Sequence, residues 1–263
     1  MRENRALSAW RRNRQTIGGW LSLANTHTAE VMGGLGFDFL CIDLQHGLLD
    51  YQDLTRMLPA ISTGDSTPLV RVPWNEPYEI MKALDAGAYG VIVPMVNDRA
   101  EAERAVAACR YPPDGNRSFG PVRAALYGGQ GYAAEANGQI ACIAMIETVE
   151  GIEKVNEIVS TPGLDGVYIG PSDLALALGL TPTGDNENPV HAETVLRIRD
   201  ACRAHGVAAG IHTSSVRFTR RYLELGFNLI TLGSDLRFMA RAATADLAEV
   251  RGAQASEGAQ TGY

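Results

Sequence analysis

The sequence predicts an α/β protein, a single (β/α)8 barrel of parallel strands, and three observations carry that expectation. Eight short, β-rich apolar runs recur along the 263 residues, with amphipathic stretches between them. The runs are hydrophobic almost throughout instead of strictly alternating, as parallel strands covered on both faces are. Eight β/α units over about 250 residues are also the ordinary size of such a barrel. A doubly wound open sheet produces the same alternation. No GxGxxG follows the first run, which weakens a dinucleotide-binding version of that sheet.

In chain order, residues 1–15 form an N-terminal segment with Arg2, Arg5, Arg11, Arg12 and Arg14 and no apolar core of the secretory kind. The predicted strands are 16–23, 37–43, 68–72, 90–95, 140–146, 166–169, 207–211 and 229–232. Helical patterning falls at 51–62, 78–85, 99–110, 151–160, 190–205 and 215–225. The link after the fourth strand carries Tyr111-Pro112-Pro113-Asp114-Gly115 and Tyr127-Gly128-Gly129-Gln130-Gly131-Tyr132. So much glycine, proline and aromatic content predicts an ordered loop over the barrel mouth. The barrel domain spans 16–251, and 252–263, rich in Gly, Ala, Gln and Ser, reads as a flexible tail.

Composition removes several function classes. A net charge of -7 and a pI near 5.3 argue against a nucleic-acid partner. No run of about 18 apolar residues could span a membrane, and the expected compartment is the cytoplasm. Cys41, Cys109, Cys142 and Cys202 show no CxxC spacing, and Cys41 and Cys142 read as reduced core residues. Only Lys82 and Lys154 are lysines, both in helical stretches, so no lysine is placed for a Schiff base.

In a parallel barrel the functional side chains gather at the C-terminal ends of the strands. Those ends carry Asp43, Gln45 and His46, then Arg71, Pro94-Met95, Glu147, Ser172-Asp173, His212 and Ser234-Asp235. Two acids ending neighbouring strands suit a small, hard cation, because Mg²⁺ and Mn²⁺ prefer oxygen ligands. Arg71 could stabilise an oxyanion, and His46 could move a proton near neutral pH. Each has a structural alternative. Asp173 could cap the helix after it, Arg71 could be an ion-pair partner, and His46 could be a loop histidine satisfied by Asp43 and Gln45. His27, His191 and His205 read as solvated or capping residues, while His212 stays open. Leu232-Gly233-Ser234-Asp235 is a weak candidate for a phosphate-binding turn.

At these residues the chain resembles the HpcH/HpaI aldolase family, the metal-dependent class II pyruvate aldolases. The matching blocks are Ile42-Asp43-Leu44-Gln45-His46-Gly47, Val70-Arg71-Val72-Pro73 and Leu84-Asp85-Ala86-Gly87-Ala88 running to Pro94. They continue with Arg110-Tyr111-Pro112-Pro113-Asp114-Gly115 and Arg117, Ile146-Glu147-Thr148, and Ile169-Gly170-Pro171-Ser172-Asp173-Leu174. The resemblance implies a (β/α)8 barrel that reversibly cleaves 4-hydroxy-2-oxo acids to pyruvate and an aldehyde through an enolate. It implies Glu147 and Asp173 as ligands of a divalent metal (Mg²⁺, Mn²⁺ or Co²⁺), with no nucleotide cofactor. It also implies His46 as the base, Asp85 as the acid that raises its basicity, and Arg71 as the enolate-stabilising group. The Ser172 and Asp173 amides would bind the substrate carboxylate, and the assembly would be a homohexamer with exchanged C-terminal helices. One departure is Met145, where many relatives have glutamine. Two other readings remain open: an acyl-CoA lyase using a basic groove at Arg217, Arg220 and Arg221, and a non-catalytic binding barrel.

Overall fold

Each of the eight apolar runs forms a strand in the computed structural model, which describes residues 1–252. The strands are β1 (Thr16–Leu21), β2 (Phe39–Asp43), β3 (Thr67–Arg71), β4 (Gly90–Val93), β5 (Ala141–Ile146), β6 (Gly166–Ile169), β7 (Ala208–Thr213) and β8 (Leu229–Ser234). They pair in parallel in sequence order, and β8 returns to β1 to close the barrel. Closure excludes the open doubly wound sheet and leaves no strand edge. The helices are α1 (Arg5–Arg11), α2 (Thr26–Gly33), α3 (Tyr51–Ile61), α4 (Pro77–Asp85), α5 (Arg99–Cys109), α6 (Val122–Gly128) and α7 (Tyr132–Gln139). After β5 come α8 (Val149–Glu153), α9 (Val155–Val159), α10 (Pro171–Ala177), α11 (Pro189–His205), α12 (Val216–Glu224) and α13 (Asp235–Val250).

Two strands, β1 and β4, end two residues sooner than their apolar runs, for local reasons. The amides of Ser22 and Leu23 are taken by the Asp235 carboxylate at 3.0 and 3.2 Å, so they leave the β1 ladder. At the end of β4, Met95 adopts a φ of 55°, a left-handed conformation that no strand can continue. The expected helix at 151–160 is divided at Lys154 into α8 and α9.

Residue parity sorts the strand side chains into two cores, since successive residues face opposite sides. Phe39, Cys41, Leu69, Ile92, Ala141, Ile143, Met145, Tyr168 and Leu229 share the barrel interior. Leu40, Ile42, Val70, Val91, Cys142, Ile169 and Ile230 join the larger core between strands and helices. The interior is plugged at its N-terminal end by α1, whose Ala6, Leu7 and Trp10 join that inner cluster. Asn4 caps α1 and donates to the carbonyls of Tyr89 and Gln139, which ties the helix across the barrel bottom.

That arrangement corrects the expectation for the segment between α5 and β5. It was expected over the barrel mouth, yet it lies beneath the opposite end. Helix α5 runs back from the C-terminal end of β4, so the chain reaches the N-terminal end of the strands before the link begins. Two short helices, α6 and α7, occupy the link, and its Gly128, Glu135 and Gln139 bond Arg2, Met1 and Asn4 respectively. All four cysteines are buried and free. Among the described residues, no helix is long and apolar enough to cross a membrane. Residues 253–263, most of the segment expected as a tail, lie outside the described residues.

Candidate active site

The same parity that puts Cys41, Leu69 and Met145 inside the barrel puts Asp43, Arg71 and Glu147 inside one step further toward the C-terminal end. There a cavity of about 530 Å³ opens, lined by residues of β1, β2, β3, β5, β6, β7 and β8 and of the segments that follow β1, β2, β6, β7 and β8. His46, Arg71, Ser172 and Asp173 all line it.

Asp43 is the organising residue on one side. It lies opposite Arg71 in the β2–β3 register, which brings the two side chains together. Its Oδ1 accepts from Arg71 Nε at 2.8 Å and its Oδ2 from Arg71 Nη2 at 2.6 Å, a bidentate pair. Trp20 Nε1 donates to Oδ2 at 3.1 Å, while the amides of Gln45 and His46 donate to Oδ1 at 3.1 and 3.3 Å. Burial opposes the charge on Asp43, but Arg71 and these donors outweigh it and hold the carboxyl below its usual range. Arg71 lies over the Trp20 ring, 5.1 Å from its centroid. So Arg71 is an ion-pair partner, as its structural alternative had it, and a cavity group at the same time. The loop that carries His46 turns at Gly47, where a Cβ would fall 2.3 Å from the Asp43 carbonyl oxygen. The turn leaves His46 exposed at the rim.

Glu147 is buried below Gly170, which has no side chain for a reason. A Cβ there would sit 2.4 Å from Glu147 Oε2 and 2.6 Å from Met145 Cε. The Met95 amide donates to Glu147 Oε1 at 3.0 Å, and the left-handed backbone at Met95 aims it there. Burial first, and then the negative charge of Asp173, push the Glu147 carboxyl up to about 7, against the Met95 amide and Arg71. Asp173 stands in the first turn of α10 but does not cap it, because Gly170 holds the cap position. The Ser172 and Asp173 amides lie in that first turn, where N–H groups lack intrahelical acceptors.

Two carboxylates near enough for one to raise the other's titration, one of them buried with the Met95 amide as its hydrogen-bond donor among the described residues, carry negative charge that a cation would offset. Their all-oxygen character fits Mg²⁺ or Mn²⁺, ions that are commonly bound through one or two carboxylates with water and substrate oxygens filling the shell. Among the described residues, no cluster of three or more His, Cys, Asp or Glu side chains is set to hold a metal without such help.

Several expectations meet a different placement. Asp85 ends α4 at the N-terminal face of the barrel, where its carboxylate pairs with buried Arg117 at 2.7 Å. Within one copy of the chain it is therefore not brought to His46. His191 is fully buried, not solvated, and its Nε2 lies 3.0 Å from the carbonyl of Pro171, directly behind the Ser172-Asp173 turn. The 232–235 turn is unsuited to phosphate, since Asp235 places a buried carboxylate there that already accepts from Ser22, Leu23 and Leu236. Arg217, Arg220 and Arg221 lie on the outer face of α12, with Arg217 paired to Glu187 at 2.5 Å. Lys82 stacks on Tyr51 and Lys154 pairs with Glu150, both away from the cavity. The pairing of Asp43 with Arg71 and the roles of Gly170 and Met95 went unread in the sequence; for Asp43 the available signal was its inward parity opposite a strand-ending arginine.

Residues 16–242 match the family described as HpcH/HpaI aldolase/citrate lyase. The hydroxypyruvate/pyruvate aldolase of Rhizorhabdus wittichii is 42% identical over 248 residues, covering 94% of this chain and 99% of that protein. The 5-keto-4-deoxy-D-glucarate aldolase of Escherichia coli O157:H7 is 40% identical over 235 residues, covering 89% of this chain and 91% of that protein. The crystal structure of an HpcH/HpaI aldolase/citrate lyase family protein from Burkholderia cenocepacia J2315 superposes with a TM-score of 0.89 at 37% identity. That match covers 94% of this chain and 99% of the other.

Proposed function

Given that the chain belongs to the HpcH/HpaI aldolase/citrate lyase family, we propose that it is a divalent-metal-dependent pyruvate aldolase. Its reaction is the reversible cleavage of a 4-hydroxy-2-oxo acid to pyruvate and an aldehyde. The observation that carries the reading is one cavity lined by Asp173, the anchored Arg71 and the rim His46, with buried Glu147 set against Gly170 of its wall and no lysine beside them. The aldolase names of the relatives above support it.

A Mg²⁺ or Mn²⁺ ion held by Glu147 and Asp173 would supply Lewis-acid polarisation of the 2-oxo group. The Ser172 and Asp173 amides bind the substrate carboxylate at the start of α10, where the free N–H groups favour an anion. His46 takes the proton of the 4-hydroxyl, directly or through a water. As the 4-oxygen becomes a carbonyl, the C3–C4 bond breaks and its electron pair moves to C3, which frees the aldehyde. Arg71 holds the negative charge of the pyruvate enolate until C3 is protonated. Asp43 keeps the guanidinium aimed. Met145 gives this pocket an apolar wall where a glutamine would have offered a hydrogen bond. Asp85, being at the opposite face, can serve a His46 only from a second copy of the chain.

Helix α13 supports an assembly of the homohexamer kind. Only Asp235 of its 16 residues is buried. Leu236, Met239, Leu247 and Val250 are exposed, and at 100° per residue they lie within about 80° of one another on the helix surface. Such a stripe is suited to burial against a neighbouring subunit.

The deciding experiment is a pyruvate-release screen over 4-hydroxy-2-oxo acids of varied length, run with added Mg²⁺ or Mn²⁺ and again after chelation with metal loss verified. Metal-dependent release is expected. Full activity in verified metal-free protein, or cleavage confined to coenzyme A thioesters, would overturn the reading.

A further inference from the structure

The cavity contains a second histidine that this mechanism leaves unused. His212, inward-facing near the end of β7, stands edge-on to Trp20 with ring centroids 5.2 Å apart. Trp20 is itself stacked on Tyr168 at 5.6 Å. The Tyr168 hydroxyl donates to Thr231 Oγ1 at 2.7 Å and lies 3.3 Å from His212 Nδ1. A phenol has one proton. With that proton given to Thr231, the oxygen can only accept from the imidazole, so Nδ1 carries the imidazole hydrogen and Nε2 carries a lone pair. Among the described residues, no protein group hydrogen-bonds Nε2, and His212 forms part of the cavity wall. Burial, then the charges of Arg71 and Arg237, push the ring's titration down to about 4, so it faces the cavity as a neutral acceptor.

We propose that His212 is a specificity-determining residue: its Nε2 accepts a hydrogen bond from a hydroxyl group on the bound substrate, favouring hydroxylated substrates over their deoxy counterparts. The inference rests on the aldolase reading for what fills the cavity. The chemistry of the partner follows from the lone pair. A carboxylate or keto oxygen has no proton to offer it. A hydrocarbon would strip it of water and return nothing. A hydroxyl satisfies it. That hydroxyl sits either on C3 of the keto-acid component or on the carbon beside the aldehyde, and the two origins are separable by experiment.

Aldol addition would be measured for two matched pairs. The first sets hydroxypyruvate against pyruvate with a common aldehyde, and the second sets glycolaldehyde against acetaldehyde with pyruvate. Wild type is compared with His212→Phe, which keeps a ring against Trp20, and His212→Gln, whose amide oxygen can reach toward the Nε2 position. In one pair, His212→Phe should lose about threefold to tenfold in kcat/KM on the hydroxylated member alone, mainly through KM. His212→Gln should restore part of that loss, and the affected pair identifies which hydroxyl is read. Equal losses on both members of both pairs, or unchanged ratios, would overturn the proposal. The same compounds, titrated with Mg²⁺ present against intrinsic tryptophan fluorescence, give a readout independent of turnover. A wild type without aldolase activity that still prefers a hydroxylated ligand, with the preference erased in His212→Phe, would sink the aldolase reading and sustain this one. No turnover and no such preference would sink both.

Discussion

Replacing Asp43 by asparagine removes one charge and almost no volume, so its effect isolates what the carboxylate does for Arg71. Among the described residues, five donors converge on the two oxygens of Asp43. Oδ1 receives Arg71 Nε and the amides of Gln45 and His46, whereas Oδ2 receives Arg71 Nη2 and Trp20 Nε1. An asparagine must present its NH2 group to one set or the other. The better choice still points it at two donors, Arg71 Nη2 and Trp20 Nε1, leaving both unsatisfied in a buried site. At about 1–3 kcal/mol for each stranded donor, the loss is about 2–6 kcal/mol. That range brackets the roughly 3–5 kcal/mol for removing one partner of a buried ion pair. Both residues are buried, Asp43 at 3% and Arg71 at 7% exposure, so little solvent screening reduces it. Urea unfolding followed by tryptophan fluorescence would measure it. Pyruvate release should fall about 10²–10³-fold in the same variant, since the guanidinium proposed to hold the enolate loses its aim. A double variant with Arg71→Met should recover much of the stability, because the stranded cation is gone, but none of the activity. An Asp43→Asn protein within about 1 kcal/mol of wild type, or one with an unchanged rate, would refute the reasoning.

Three further outcomes are expected. Arg71→Ala and His46→Ala should each lower pyruvate release by about 10²-fold or more while circular dichroism shows a folded barrel; full activity in His46→Ala would remove it as the base. Gly170→Ala should weaken Mn²⁺ binding at least about tenfold by calorimetry, because its Cβ would press on Glu147 Oε2. Glu147 carries a raised pKa in the folded state, from 4.5 to about 7, so the folded protein holds this proton more tightly than the unfolded chain. Metal-free protein should therefore lose stability as pH rises from about 4.5 to 7 and then level off, by about 3 kcal/mol at most from this group. Urea midpoints at pH 5 and pH 8 would test this, and Glu147→Gln should be missing that part of the pH dependence.

Much of the fold was legible in the chain because its signals are local. A run such as Cys142-Ile143-Ala144-Met145-Ile146 needs cover on both faces, and an amphipathic stretch such as Arg99–Cys109 supplies it. Eight such runs, with six amphipathic stretches between them, imply a barrel. Strand ends were less legible where a distant group intervened, as Asp235 does at Ser22 and Leu23. Helix α1 was unread because its apolar face is only Ala6, Leu7, Ala9 and Trp10, too short a stretch for a periodic signal.

By itself, the order of residues determined which side chains would reach the C-terminal rim. A strand alternates strictly, so Asp43, Arg71 and Glu147 must share the inward side with Cys41, Leu69 and Met145. Only the tertiary structure decided what those side chains do to one another. The Asp43–Arg71 pair depends on the register between β2 and β3, and the elevated Glu147 depends on its burial and on the charge of Asp173, which stands on a different element. The same holds for His191 behind Pro171, Asp85 facing away from His46, and the link beneath the barrel in place of over it. Each of these is a meeting of groups far apart in the chain. Such meetings are set by barrel closure and register, and neither is written in a local pattern.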